Sequence, residues 1–247
     1  MQKQSWSVFV PCYNEGSVLR NVVDKIAAVM EAIAAEYEIM IVDDGSTDDS
    51  ISVIKKIQAE KRNVSAVFHD GNKGIGAVQR RAYTSARFEN VIVIGGDGQF
   101  NPEELLVHPV IKPGIWLAFY REQFPSYTPF RIFLSGVNKY LNQFLFGMKL
   151  KDVNWAMAFK TADLKLLDLR LNSTLIKSEI CIKLHMLGHR AIEIPSTYHP
   201  RISGEAKGAS FKIIMQAMME IFRLLLEIQR FKKNLNTPYA PHNTRTS

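Results

Sequence analysis

Asp97 and Gln99 stand two residues apart, just beyond an apolar, β-branched run, Val91-Ile92-Val93-Ile94, that stops at Gly95-Gly96. The run reads as a strand buried on both faces. The glycines let the backbone turn tightly and approach a ligand closely. An acid and an amide would then project as paired oxygen ligands from the carboxyl end of a strand, where open α/β sheets bind their ligands. A hard divalent cation, Mg²⁺ or Mn²⁺, that already carries phosphate oxygens needs an incomplete oxygen site of this kind. Taken alone, a glycine-rich turn with a surface aspartate accounts for the same residues, so the rest of the chain has to decide.

The elements around this stretch repeat one pattern. Trp6 to Val10 is an apolar run closed by Pro11-Cys12-Tyr13-Asn14-Glu15-Gly16, and Val18, Leu19, Val22, Val23, Ile26, Val29, Met30 and Ile33 follow at helical spacing. Glu38 to Val42 predicts a second strand, and Ser46 or Thr47 a cap for the next helix, with Asp48 and Asp49 in its first turn. Val64 to Phe68 predicts a third strand, with a helix from Ala77 to Phe88 after Asn72-Lys73-Gly74-Ile75-Gly76. Asn101-Pro102-Glu103-Glu104 has the order of a helix start. Strands alternating with helices predict an α/β fold with a doubly wound, mostly parallel, Rossmann-like sheet. Glu15, Asp43, Asp44 and Asp97 all fall at strand ends, so one sheet edge is acidic although the 247-residue chain carries net charge +7. That contrast suggests a site for a metal–nucleotide.

Further strands are predicted at Ile115 to Phe119, Val153 to Phe159 and Ala191 to Ile194, and a helix capped by Ser173 or Thr174 and ended by Gly188. His185 and His189 are explained by that helix end better than by metal. Ile132 to Phe146 reads as an apolar helix whose one charge is Lys139. The last helix, 209–231, has a narrow polar stripe of Lys212, Gln216, Glu220, Arg223, Glu227 and Arg230; it suits a groove, a partner helix or a membrane interface. The expected organisation is a catalytic domain over 1–208, this amphipathic helix, and a disordered tail over 232–247.

The basic balance suits anionic partners such as nucleotide diphosphates or a membrane surface. Nothing in the sequence has the pattern of a nucleic-acid binder. Cys12 and Cys181 lie far apart, which suggests a reducing compartment. No signal-peptide pattern precedes the first strand and no uncharged run approaches the ~20 apolar residues of a membrane span, so a cytoplasmic, soluble or peripheral protein is expected, with a homo-oligomer left open.

The motifs, in order and spacing, resemble family 2 glycosyltransferases of the GT-A fold, in particular the dolichol-phosphate mannose synthase-like branch that uses polyprenyl phosphates. The matching stretches are Pro11-Cys12-Tyr13-Asn14-Glu15, Val42 to Asp48, Asn72 to Gly76, Asp97-Gly98-Gln99-Phe100, Phe119-Tyr120-Arg121, and Arg201 with Gly204-Glu205-Ala206-Lys207. The resemblance implies a nucleotide-sugar donor whose base is held by Asp43 in a pocket with Pro11, Tyr13, Glu15 and Ile41. Gly96 would lie close to the donor. Asp97 and Gln99 would hold Mg²⁺ or Mn²⁺, and Arg121, Arg201 and Lys207 would bind phosphate oxygens. Two departures stand out: Gly95 replaces an acid and Ala206 a serine.

The expected reaction moves a sugar from a GDP- or UDP-linked donor to a lipid-linked phosphate with inversion. Such an acceptor is already anionic and requires no base. Two rival readings remain: transfer to a sugar hydroxyl, for which Asp152 or Glu179 would have to act as base, and a silent nucleotide-binding scaffold, which Gly95 would suit.

Overall fold

The apolar runs become one seven-stranded sheet of order β3-β2-β1-β4-β6-β5-β7. The computed structural model describes residues 2–122, 143, 147–200 and 211–235, with side chains in the last stretch from 219. The strands are β1 Gln4–Cys12, β2 Ala34–Asp43, β3 Val64–Phe68, β4 Asn90–Val93, β5 Ile115–Arg121, β6 Met157–Lys160 and β7 Arg190–Ser196. The helices are α1 Gly16–Ile33, α2 Ser50–Glu60, α3 Ile75–Ser85, α4 Thr161–Lys165, α5 Ile176–Met186 and α6 Phe211–Leu235, with a 3-10 helix at Pro102–Val107. The fold is the mostly parallel α/β arrangement the sequence predicts.

β1 lies inside the sheet, paired parallel with β2 on one side and β4 on the other. This is why Trp6, Val8, Phe9 and Val10 are fully buried and show no polar alternation. Alternate residues face two separate cores. Val8 and Val10 pack with α1 and with Ile54 and Ile57 of α2, whereas Phe9 packs with Val78, Tyr83 and the apolar residues of α5. The chain builds outward through β2 and β3 and then returns to β4 on the other flank of β1. Between β1 and β4 the strand order reverses, and the carboxyl ends there define the ligand-binding crevice of such sheets.

Several local expectations need correction. The strand expected over Val153–Phe159 starts only at Met157, and it runs antiparallel to both β4 and β5. Asp152 turns the preceding segment instead of extending it, because its Oδ1 accepts from the Asn154 N–H at 2.9 Å. The helix after β2 starts at Ser50 with Asp49 at the cap position, not Ser46 or Thr47. Asp48 Oδ1 accepts from Ser50 N, while Asp48 Oδ2 accepts from Gly16 N and so tethers α1 to α2. Helix α3 starts earlier than Ala77 and stops before Phe88. The cap at Asn101 is as expected: its side chain accepts from Glu103 N. His189 N donates to Leu184 O just past the end of α5, and its ring lies 3.3 Å from Asp163 of α4. Helix α6 runs on to Leu235, into the segment expected to be a tail. Ile132 to Phe146, apart from Gln143, and residues 201–210 and 236–247 lie outside the described residues, and so do Arg201 and Lys207.

On the second core face, Glu179 and Lys183 form a fully buried pair one turn apart on α5. Lys183 Nζ also donates to the carbonyls of Leu167 and Asp168, and Glu179 accepts from the N–H groups of Arg170 and Leu171. The pair therefore holds the 167–171 loop against α5. Lys183→Met would leave Glu179 charged and buried without its partner. We expect a loss of about 3–5 kcal/mol in urea unfolding, and a loss below 1 kcal/mol would show that the loop relaxes without the pair.

Candidate active site

The parallel strands bring their carboxyl ends to one edge, and the loops there are bound through the backbone of β1. Gly96 N donates to Pro11 O at 3.0 Å, and Asp44 N donates to Cys12 O at 2.9 Å. A Cβ at position 96 would lie 2.7 Å from the Pro11 carbonyl, so only glycine allows the loop after β4 to close against that after β1. Asn14, at φ +57°, donates its N–H to Ser46 Oγ and accepts from Thr47 N, which joins the first two motif loops. Glu15 N donates to Ser50 Oγ, and Glu15 itself is buried at the cap position of α1.

The acids at this edge divide into two kinds. Asp44 is committed to structure: His69 Nδ1 lies 2.8 Å from its Oδ1, and the N–H groups of Lys73 and Gly74 donate to it. Burial pushes the Asp44 carboxyl up, but these hydrogen bonds outweigh it and hold the group below its ordinary range. The Asn72-Lys73-Gly74 motif is thereby fixed to the end of β2. Asp43 is different. It is fully buried, its Oδ2 accepts from Ser46 N at 3.1 Å, and its Oδ1 has no hydrogen-bond partner among the described residues. A buried carboxylate oxygen left in that state has room for a donor that the described residues do not supply.

Asp97 and Gln99 are half-buried beyond β4, with Gln99 N donating to Asp97 Oδ1 at 3.2 Å. The Gln99 amide donates to the Tyr198 hydroxyl at 2.6 Å, and His199 N donates to Gln99 O. A Cβ at Gly95 would meet Asp97 Oδ1 at 2.9 Å, so the Asp97 carboxylate occupies the space in which an acid at 95 would begin. Among the described residues no three His, Cys, Asp or Glu side chains gather as an independent metal centre. One carboxylate and one amide oxygen fit a cation that brings diphosphate and water oxygens with it. On those terms the residues fit Mg²⁺ or Mn²⁺.

Farther along the edge, Arg121 ends β5 and forms a buried bidentate pair with Asp152, with Nε–Oδ2 2.7 Å and Nη2–Oδ1 3.1 Å. Its guanidinium lies 4.7 Å from the Trp155 ring centre. Trp155 Nε1 donates to Ser196 Oγ, and Lys177 Nζ donates to Trp155 O at 2.6 Å. Burial lowers the Lys177 ammonium to about 8 against the opposing pull of Asp152. Burial also raises the Cys12 thiol to about 11, so Cys12 behaves as a packing group under the first loop.

The structure thus brings Pro11, Tyr13, Glu15, Asp43, Gly96, Asp97, Gln99 and Arg121 to one edge. Ile41 lies instead in the core with α1 and α2. Sequence reasoning missed His69, Trp155, Lys177 and Tyr198. His69 directly follows a strand, which is a signal of position; the others carry no local signal.

Residues 7–146, more than half of the chain, match the family described as Glycosyl transferase family 2. The chain belongs to this family. A curated family relative, the undecaprenyl-phosphate 4-deoxy-4-formamido-L-arabinose transferase of Pseudomonas fluorescens, is 36% identical over 100 residues, which are 40% of this chain and 29% of that protein. The match thus spans under a third of that relative's length. A Pyrobaculum calidifontis mannosyltransferase in complex with GDP-Man and Mn²⁺ aligns at TM-score 0.58 and 18% identity, over 80% of this chain and 57% of its own. Glucosyl-3-phosphoglycerate synthase of Mycobacterium tuberculosis, with Mn²⁺ and UDP, aligns at 0.63 and 15%, over 90% and 79%. The shared fold is GT-A.

The Asp44 arrangement has a pH signature. Its folded pKa is depressed, so the unfolded chain binds the proton more readily, and the stabilisation is present above the ordinary carboxylate pKa of ~4 and lost as pH falls through the lower folded value. Wild type should exceed Asp44→Asn in melting temperature near pH ~5, and the margin should narrow as pH falls from ~4 through the lower folded value. A margin unchanged in acid would place the effect in packing rather than charge.

Proposed function

We propose that this chain transfers a sugar from a GDP- or UDP-linked donor to a polyprenyl phosphate, with inversion, at a membrane surface. The observation that carries the reading is the pairing, across the β1–β4 switch point, of the buried Asp43 oxygen that has no partner among the described residues with the Asp97–Gln99 motif. Asp43 Oδ1 would accept an N–H of the base, with Pro11, Tyr13 and Glu15 beside it. Gly96 would let the donor approach the backbone. Asp97 and Gln99 would hold the cation, which supplies positive charge to the leaving diphosphate. Arg121, fixed in place by Asp152, together with Arg201 and Lys207, would bind the remaining phosphate oxygens.

In the reaction a phosphate oxygen of the acceptor forms a bond to the anomeric carbon as the bond to the donor diphosphate breaks, and the nucleoside diphosphate leaves with the electron pair. The state of the two candidate bases supports a phosphate acceptor. Glu179 is fully buried under Lys183 and two backbone N–H groups, and Asp152 is held by Arg121 and Asn154. A sugar hydroxyl would need one of them to take its proton, whereas an anionic phosphate needs none. The relative named for transfer to undecaprenyl phosphate supports the same acceptor class.

Membrane contact follows from the acceptor, whose tail stays in the bilayer. No helix among the described residues is long and apolar enough to span a membrane. Helix α6 supports a peripheral position at the membrane surface. Leu224 and Ile228 pack into the second core, while Met219, Phe222 and Leu226 are exposed at 54%, 62% and 49%. Arg223 and Arg230 are exposed on the same side, whereas Glu220 and Glu227 are only half-exposed. An apolar stripe bordered by cations is what an anionic lipid surface attracts.

Labelled donor offered with polyprenyl phosphate should give labelled lipid, and Asp97→Asn should lose nearly all transfer while still folding. Label appearing only on a glycan acceptor, or full activity in Asp97→Asn, would refute the assignment. Wild-type protein should also sediment with anionic vesicles. High salt should weaken this, as should Phe222→Glu or Leu226→Glu, with melting temperature unchanged because both side chains are exposed. Indifference to vesicles at every salt concentration would rule out the membrane role.

A further inference from the structure

We propose that Tyr198 is a positioning residue that sets which end of the Gln99 amide faces the metal–diphosphate; this rests on the donor site described above. Gln99 is the one residue of the Asp97-Gly98-Gln99-Phe100 motif whose two ends differ chemically while having nearly the same shape. Its oxygen can bind a hard cation and its NH₂ cannot. An amide without a partner can turn over, and the wrong face would present two N–H bonds to the cation. The Tyr198 hydroxyl accepts from Gln99 Nε2 at 2.6 Å, which leaves Oε1 as the end for the cation.

The backbone around the pair is held independently of that hydroxyl. His199 N donates to Gln99 O at 3.1 Å, Gln99 N donates to Asp97 Oδ1, and the Tyr198 ring packs 5.7 Å from that of Trp155. Loss of the hydroxyl alone therefore frees the amide without releasing the loop. Tyr198 follows β7, 99 residues from Gln99, and precedes by three residues the segment that begins at Arg201. The Gln99 side chain is thus coupled through one side-chain hydrogen bond, beside the backbone bond from His199, to the chain that carries Arg201 and Lys207.

Mn²⁺ binding in the presence of UDP, and separately GDP, followed by calorimetry and by the Mn²⁺ electron paramagnetic resonance signal, tests this without turnover. Tyr198→Phe should weaken Mn²⁺ by about tenfold, the scale of a lost outer-sphere partner, with metal-free melting unchanged. Gln99→Glu offers oxygen at both ends, so in that background Tyr198→Phe should leave Mn²⁺ affinity unchanged. Equal losses in both backgrounds would make Tyr198 merely structural and overturn the proposal, as would no loss in either. Wild type that binds no Mn²⁺ with either nucleotide would overturn the donor-site reading itself, and this inference with it.

Discussion

Two consecutive carbonyls hold the site together. Pro11 O accepts from Gly96 N, and Cys12 O accepts from Asp44 N, so the loops after β4 and β2 are both clasped to the end of β1. The constraint is steric as well as electrostatic. The approach at Gly96 leaves no room for a side chain, and the carbonyls lie at the end of a strand that the sheet has already buried on both flanks. The loops that carry Tyr13, Asp43, Asp97 and Gln99 are all anchored within a few residues of this clasp.

That clasp also explains how a basic protein maintains an acidic edge. Carboxylates packed close together repel unless they are paired or hydrogen-bonded. Asp44 and Asp48 each accept from two backbone N–H groups, and Asp44 also meets His69. Asp152 meets Arg121. Their charges are used to bind one loop to the next. At Gly95 the space where a side chain would begin is taken by the Asp97 carboxylate.

The C-terminal helix repeats the division of labour on a larger scale. Its core side meets α5, where Lys183 lies 5.2 Å from the Phe231 ring centre and holds the 167–171 loop through its other bonds. Its outer side keeps Met219, Phe222 and Leu226 in solvent. The wide apolar arc in the sequence is therefore two separate faces, one for packing and one left exposed.

Local features of the chain were legible in the sequence because they depend on short-range physics. The Val64–Phe68 strand has the predicted ends, Asn101 caps its helix as expected, and the motif order led to the right family and sheet. Period-2 and period-3.6 burial and backbone capping act over a few residues, so they leave a readable pattern. The partners of the site residues leave none. Asp44–His69, Arg121–Asp152 and Gln99–Tyr198 are 25, 31 and 99 residues apart. The antiparallel direction of β6, the burial of Ile41 and the commitment of Glu179 to Lys183 are of the same kind. A side chain's partner is set by which groups the packed sheet brings within hydrogen-bond distance, and a carboxylate has the same local sequence whether it ends beside an arginine, a histidine or nothing at all. The sequence determined which residues could do the chemistry; the tertiary structure decided which of them were already engaged.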